Sequence, residues 1–413
     1  MSKNIIFLFT FIGFWLIFFP TSLIIPNPTY NGWLNNLLIL VMLWYFRTDI
    51  RYFFGGKFRW FNISVFSFCI IGIVSIILNA DTIDMFSMSR FRNGEEKFYT
   101  GITSPKQSIY YSLSTVVLTL FVERLSTEHK VTFFLNYLWK MSLFLWAWCN
   151  FDAFTHVVVG ESIGGYIMGT KFQVGYYNLF VCTLYWYLHP LLAKRSEKIV
   201  MLMFLLVSFL SCVHTKCSTL SIGTFVFFMF IYVIPKRMRY SMSYGTFLVL
   251  SIVILDLSFF FFTTWFLQFP IAQEIIVNVL NEDLTLTGRL GIFEKITEAF
   301  ENNLWLGYGN GNSRIVSLFY TGVENPQNGL IEVFLNTGLL GSVSFLAMVF
   351  FAAQQITGKD WYKYPLVTYV LVMIVVSTVE VPFEKTFVFL IILILLNQTE
   401  LRQNIKEIGK WKK

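Results

Sequence analysis

The chain has 413 residues, 56% hydrophobic and 19% aromatic, with only 13% charged and a mean hydropathy of +0.62, a balance that excludes a soluble globular domain. The net charge of +7 does not point to nucleic acid, because the basic residues lie in short clusters between apolar runs, as they do in the cytoplasmic loops of membrane proteins. Five cysteines, an odd number all in or beside apolar runs, exclude a disulfide framework.

A helix needs roughly 20 apolar residues to cross about 30 Å of hydrocarbon. Windows of roughly 19 residues predict spans over 5–25, 32–46, 62–79, 108–122, 132–150, 173–190, 198–213, 218–234, 246–266, 328–352, 364–379 and 384–397. The first run follows Lys3 and lacks a small-x-small cleavage site, so it reads as a retained span with a cytoplasmic start. With that orientation, 20 of the 31 basic residues fall on short cytoplasmic segments, and both termini are cytoplasmic.

The outward segments are then about 80–107, 151–172, 214–217, 267–327 and 380–384. The expected fold class is an all-α integral membrane protein of about 12 transmembrane helices, a single polytopic domain over 1–413. The large outward loop at 267–327, between spans nine and ten, is its anomaly. Cys212, His214 and Cys217 gather at one span end, but no second ligand cluster accompanies them, so they read as packing residues and no metal site is expected.

Within the long loop, Thr287-Gly288-Arg289 precedes Leu290, Ile292, Phe293, Ile296, Ala299 and Phe300, whose spacing of three and four predicts an apolar stripe on a helix. Such a helix is expected to lie along the outer membrane surface. Arg289 stands at its N-terminus, where the dipole and free N–H groups favour anions, which suits a phosphate or diphosphate. An arginine touching lipid head groups accounts for the same pattern equally well. The segment Glu301 to Gly311 follows, with alternating glycines at 307, 309 and 311 that permit an irregular backbone. Asn325-Pro326-Gln327-Asn328-Gly329 then leads into the tenth span, where Glu332 and Asn336, four apart, share one face toward the bundle interior.

The order Thr-Gly-Arg, amphipathic helix, ENNLWLGYGNG and PQNGLIEVFLNTGLLG resembles the signature region of the O-antigen ligase and polysaccharide polymerase superfamily. Two earlier segments fit it as well: GTKFQVGYYN, from Gly169 to Asn178, and HTKCSTLSIG, from His214 to Gly223. The resemblance implies a GT-C-like bundle in a bacterial cytoplasmic membrane. Ligases of the superfamily carry His-Asn before the span that follows the loop, where this chain has Gln327-Asn328. Glutamine cannot act as a general base, so the resemblance points to Wzy-type polymerases of O-antigen, capsule or exopolysaccharide.

The partners so implied are an undecaprenyl-diphosphate-linked oligosaccharide and membrane lipids, with a chain-length regulator and a flippase as further partners. No nucleic acid and no cofactor are expected. The reaction needs cations near the diphosphate and a group to accept the acceptor's proton. Arg289 is the first candidate cation, then Lys216 and Lys171, with Arg314 a weaker one; Asn178, Gln327 and Asn328 complete the substrate-binding set. For the base, Glu324, Glu332, His214 and His156 all lie on the outward side and are not ranked. No Asp-x-Asp occurs, so metal-independent transfer is expected. A ligase is the rival enzyme. A lipid-linked oligosaccharide transporter has only Lys140, Asp256 and Glu332 as charges within spans.

Overall fold

The computed structural model describes residues 1–19, 27–92, 95–156, 165–266, 289–356 and 361–396, with single positions 25, 269 and 274. The helices in chain order are α1 (Lys3–Ile17), α2 (Pro28–Phe46), α3 (Ile50–Phe53), α4 (Arg59–Met85), α5 (Lys106–Thr127), α6 (Val131–Thr155), α7 (Lys171–Leu188), α8 (Arg195–His214) and α9 (Ser218–Tyr232). They continue with α10 (Lys236–Met242), α11 (Gly245–Phe266), α12 (Arg289–Asn302), α13 (Ser313–Thr321), α14 (Gly329–Ala353), α15 (Tyr364–Ser377) and α16 (Lys385–Leu393). Each predicted span overlaps one of these helices, but the first, 5–25, runs past the end of α1 at Ile17, and its residues 20–24 lie outside the described residues. Among the described residues, three are long and apolar enough to cross a membrane: Arg59–Leu78 of α4, α8 and α14. Helices α10 and α11 together make a fourth candidate, bent by 74° between them.

The fold is not purely helical. The segment after α4 forms an antiparallel hairpin of β1 (Met88–Arg92) and β2 (Glu95–Tyr99). Helix α4 also continues to Met85, past the predicted end at 79, because Ile83 and Phe86 find protein cover.

Helix α7 is the centre of the bundle. A capping box opens it, with Thr170 accepting from the Gln173 N–H and Gln173 accepting from the Thr170 N–H. Every residue from Val174 to Tyr187 is buried, as expected of a helix that is apolar all round. Helices α6, α8 and α15 pack against it. Asn178 meets Asn150 of α6 in a reciprocal amide pair, at 2.9 and 3.2 Å.

The most extensive packing joins α4 to α14, and α14 is broken where they meet. Gly338 has φ +61° and ψ −164° inside the helix. In an unbroken helix the N–H groups of Leu339 and Leu340 would bond to the carbonyls of Leu335 and Asn336. Here the segment 304–309 takes all four groups. Leu339 N and Leu340 N donate to the carbonyls of Leu304 (2.9 Å) and Trp305 (3.2 Å), while Tyr308 N and Gly309 N donate to those of Leu335 (2.7 Å) and Asn336 (2.8 Å). Gly307, at φ +63°, touches this break so closely that a Cβ would lie 2.5 Å from Gly338 N. Ser75 and Asn79 of α4 complete the join by donating to the Gly307 carbonyl, at 2.8 and 3.0 Å. A span tolerates such a break only where neighbouring groups satisfy its freed backbone.

The predicted apolar stripe of α12 is present, but protein covers it rather than lipid. Ile292, Phe293, Ile296 and Ala299 are buried in a second core with Phe260, Tyr308, Ile315, Ile331 and Leu335. Complete burial of Ile296 alone corresponds to about 1.5–3 kcal/mol of apolar transfer. This packing seats α12 and α13 on the first turns of α14, so this part of the 267–327 segment is anchored to the bundle, while most of 267–288 lies outside the described residues.

At the other end of the bundle, Arg124 bridges Asp49 (2.7 Å) and Glu128 (2.5 Å), and Lys130 also reaches Glu128 (2.7 Å). Partial burial works against ionising Glu128, but hydrogen bonds from Lys130, the terminal amine and Arg124 outweigh it and hold its carboxyl down at about 2.

Candidate active site

Segments assigned by charge to the outward side meet at one end of the bundle and enclose a two-lobed cleft. The larger lobe, of about 760 Å³, runs between α1, α4, α5, α7, α14 and α16. The smaller, of about 530 Å³, lies under α13 and the turn that enters α14. Tyr176, Glu332, Val381 and Glu384 line both lobes and form the wall between them.

Glu332 reaches the wall because the start of α14 is firmly set. Asn328 caps that helix by accepting from Ile331 N (3.0 Å), while its amide donates to the carbonyls of Asp256 (3.3 Å) and Thr378 (3.5 Å). One turn in, Ser313 Oγ donates to Glu332 Oε1 at 3.1 Å. A further turn on, Asn336 Oδ1 accepts from the backbone of Gly311 (3.1 Å) and Ser313 (3.0 Å). The i, i+4 pair therefore locks the glycine segment and α13 onto α14, and Glu332 faces the cleft with the Ser313 hydroxyl donating to it.

Three more carboxylates converge there. Glu324 is paired with Arg314, whose guanidinium also lies 5.8 Å from the ring centre of Tyr99. Glu380, nearly buried, accepts from Asn325 Nδ2 at 2.8 Å and from Val381 N at 3.2 Å. Glu384 accepts from Gln173 Nε2 at 3.4 Å. Glu384 is exposed to the open space of the cleft.

Cations flank this wall on both sides. Lys171 and Arg314 line the smaller lobe. Lys385 lines the larger one, with its ammonium 5.7 Å from the ring centre of Tyr110. Beyond Lys385 the larger lobe becomes apolar, along Ile17, Phe18, Phe19 and Phe68. Among the described residues no group of three His, Cys, Asp or Glu side chains is arranged to hold a metal ion.

Of the residues singled out in the sequence, Lys171, Arg314, Glu324, Gln327 and Glu332 come together on the smaller lobe. Gln327 holds a left-handed backbone at φ +53°, and its buried Oε1 has no hydrogen-bond partner. Arg289 begins α12, but its side chain lies outside the described residues. The others are placed elsewhere. Asn178 spends its amide on Asn150, and Asn328 spends its own on capping α14. His214 ends α8 beside Phe154, with ring centres 5.6 Å apart. Lys216 is exposed at a left-handed turn, where its carbonyl receives Lys171 Nζ at 3.4 Å. Neither His214 nor Lys216 lines the cleft. His156 contacts Asp152 at 2.5 Å, and Asp152 also accepts from Ile167 N at 2.7 Å, so that histidine belongs to a loop anchor.

Glu380, Glu384 and Lys385 escaped the sequence reading. Their signal was three charges in the six residues between Val379 and Thr386, a turn between two apolar runs. Charges are costly so near hydrocarbon unless a polar site employs them.

A family model described as O-Antigen ligase matches residues 180–346. No curated protein and no solved structure matches the chain. The matched stretch holds α12, α13, the inserted glycine segment, the break at Gly338 and Glu332, whereas Lys171, Glu380 and Glu384 lie outside it. The chain is a membrane protein, and over this stretch it is similar to the O-antigen ligase family.

Proposed function

We propose that the chain is a polymerase that joins undecaprenyl-diphosphate-linked oligosaccharide repeats on the outer face of a bacterial cytoplasmic membrane. The observation that carries this reading is the two-lobed cleft. Each lobe has its own cation, Lys385 in one and Lys171 with Arg314 in the other, and the lobes share the Glu332 and Glu384 wall. Polymerisation requires two lipid-diphosphate-linked glycans side by side, and this arrangement offers one anion-binding lobe to each. The apolar flank of the larger lobe suits a polyprenyl chain.

In the reaction, an acceptor hydroxyl oxygen bonds to the donor's anomeric carbon as the bond from that carbon to the phosphate oxygen breaks. The lipid diphosphate departs with the electron pair, and the hydroxyl proton passes to a carboxylate. Glu332 is the proposed base. Glu324 is tied to Arg314, and Glu380 is occupied in holding the Asn325 turn, whereas Glu332 faces both lobes. Arg289 and Arg314 are proposed to stabilise the diphosphate as its charge develops.

Purified protein reconstituted with a lipid-diphosphate-linked repeat is expected to produce a ladder of longer glycans, at a rate unchanged by EDTA. Movement of substrate between leaflets without elongation would sink this reading in favour of transport. The charges named for transport do not support it. Asp256 accepts from Ser377 Oγ at 2.8 and 3.1 Å, and Lys140 is exposed on α6. Arg289→Ala should abolish the ladder. Arg314→Ala should slow it roughly a hundredfold, the usual loss for one preorganised donor; a wild-type rate from either variant would remove that arginine from the mechanism. Gln327 stands where ligases carry histidine, which favours polymerisation over ligation to a lipid core or protein.

A further inference from the structure

A separate basic pocket lies at the opposite end of the bundle. Helix α7 runs from Lys171 at the cleft to Leu188, about 27 Å away at 1.5 Å per residue. Helix α15 returns from Tyr364 toward the turn that carries Glu380. At their far ends, Lys198, Lys236, Arg239, Trp186, Tyr232 and Tyr364 enclose about 200 Å³, the space of roughly half a dozen waters at about 30 Å³ each.

Three cations and no carboxylate line this pocket. The neighbouring acid, Glu197, is turned away, 3.7 Å from His189 and accepting from Lys194 N. Arg239 holds its guanidinium 5.4 Å from the centre of the Trp186 ring, and its buried Nε has no hydrogen-bond partner. A guanidinium N–H kept from water without an acceptor is costly, and an anion in the pocket would satisfy it.

The surroundings indicate which anion. One turn along α8 from Lys198, Leu202 is 51% exposed, and two turns back along α9 from Tyr232, Phe225 is 57% exposed. Exposed apolar helix faces thus lead directly away from a cationic pocket, as a phosphate head group with attached acyl chains requires. We propose that this pocket binds the phosphate of an anionic phospholipid, with Arg239, Lys198 and Lys236 around the head group and the acyl chains along α8 and α9.

The test uses the full chain in a neutral detergent, with its thermal midpoint and its bound lipid, by native mass spectrometry, followed as lipid is added. Phosphatidylglycerol should raise the midpoint and remain bound, while phosphatidylcholine and inorganic phosphate should do neither. The double variant Lys198→Gln/Lys236→Gln changes two side chains at the pocket rim. It should weaken phosphatidylglycerol binding about 25-fold, about fivefold per cation, whereas Lys295→Gln on the exposed side of α12 should not. Undiminished binding by the double variant would overturn the site. Equal protection by inorganic phosphate would replace the lipid with a free anion and overturn the proposal.

Discussion

Glu332→Gln is expected to reduce ladder formation by about two to four orders of magnitude, the range lost when a general base is removed, while the protein stays folded. The amide keeps the shape of the carboxylate and can still accept from Ser313 Oγ, so α13 remains seated on α14. What it loses is the ability to take a proton on the wall between the lobes. Glu384→Gln is the informative companion, because Glu384 lines both lobes too. Its loss should affect the rate less than that of Glu332. An unimpaired ladder from Glu332→Gln, with none from Glu384→Gln, would transfer the role of base to Glu384.

The second large effect is on folding. Gly338→Ala should leave little monodisperse protein, because three costs combine. An alanine at φ +61° and ψ −164°, a region essentially confined to glycine, is strained by about 1–3 kcal/mol, and its Cβ would lie 2.4 Å from the backbone of Trp305. Expelling the inserted segment would then take the α14 partners from the Leu304 and Trp305 carbonyls and the Tyr308 and Gly309 N–H groups, each costing several kcal/mol if left unpaired within the membrane. Gly307→Ala should behave alike, since its Cβ would strike the same break from the other side. Gly291→Ala in α12 serves as the control. A Cβ there meets nothing within 4 Å, and alanine favours a helix by about 1 kcal/mol over glycine. Gel filtration and thermal unfolding in detergent read all three, and a Gly338→Ala variant with the wild-type midpoint would refute the role given to the break.

The two experiments separate chemistry from architecture. Glu332→Gln tests a proton acceptor in a fold left intact, whereas the glycine variants test the join that places Glu332. The break, the inserted segment and the carboxylate all lie within the matched family stretch and form one structural unit.

What the sequence by itself determined is local. The positions of the helices follow from apolar transfer free energy, which sums along a window and needs no knowledge of neighbours. The stripe of α12 and the shared face of Glu332 and Asn336 follow from 3.6 residues per turn, and the glycines at 307, 309 and 311 marked an irregular backbone that the structure places at positive φ. Only the tertiary structure decided what each feature meets. The stripe could face lipid or protein, since either removes it from water, and packing against Ile315, Tyr308 and Leu335 chose protein. Asn178 went to Asn150, and His214 went to Phe154 rather than to the cleft. Glu384 and Gln173 are 211 positions apart in the chain, and Ser75 and Gly307 are 232 apart. Contacts at such separations are set by which helices pack together, which periodicity along one segment does not encode.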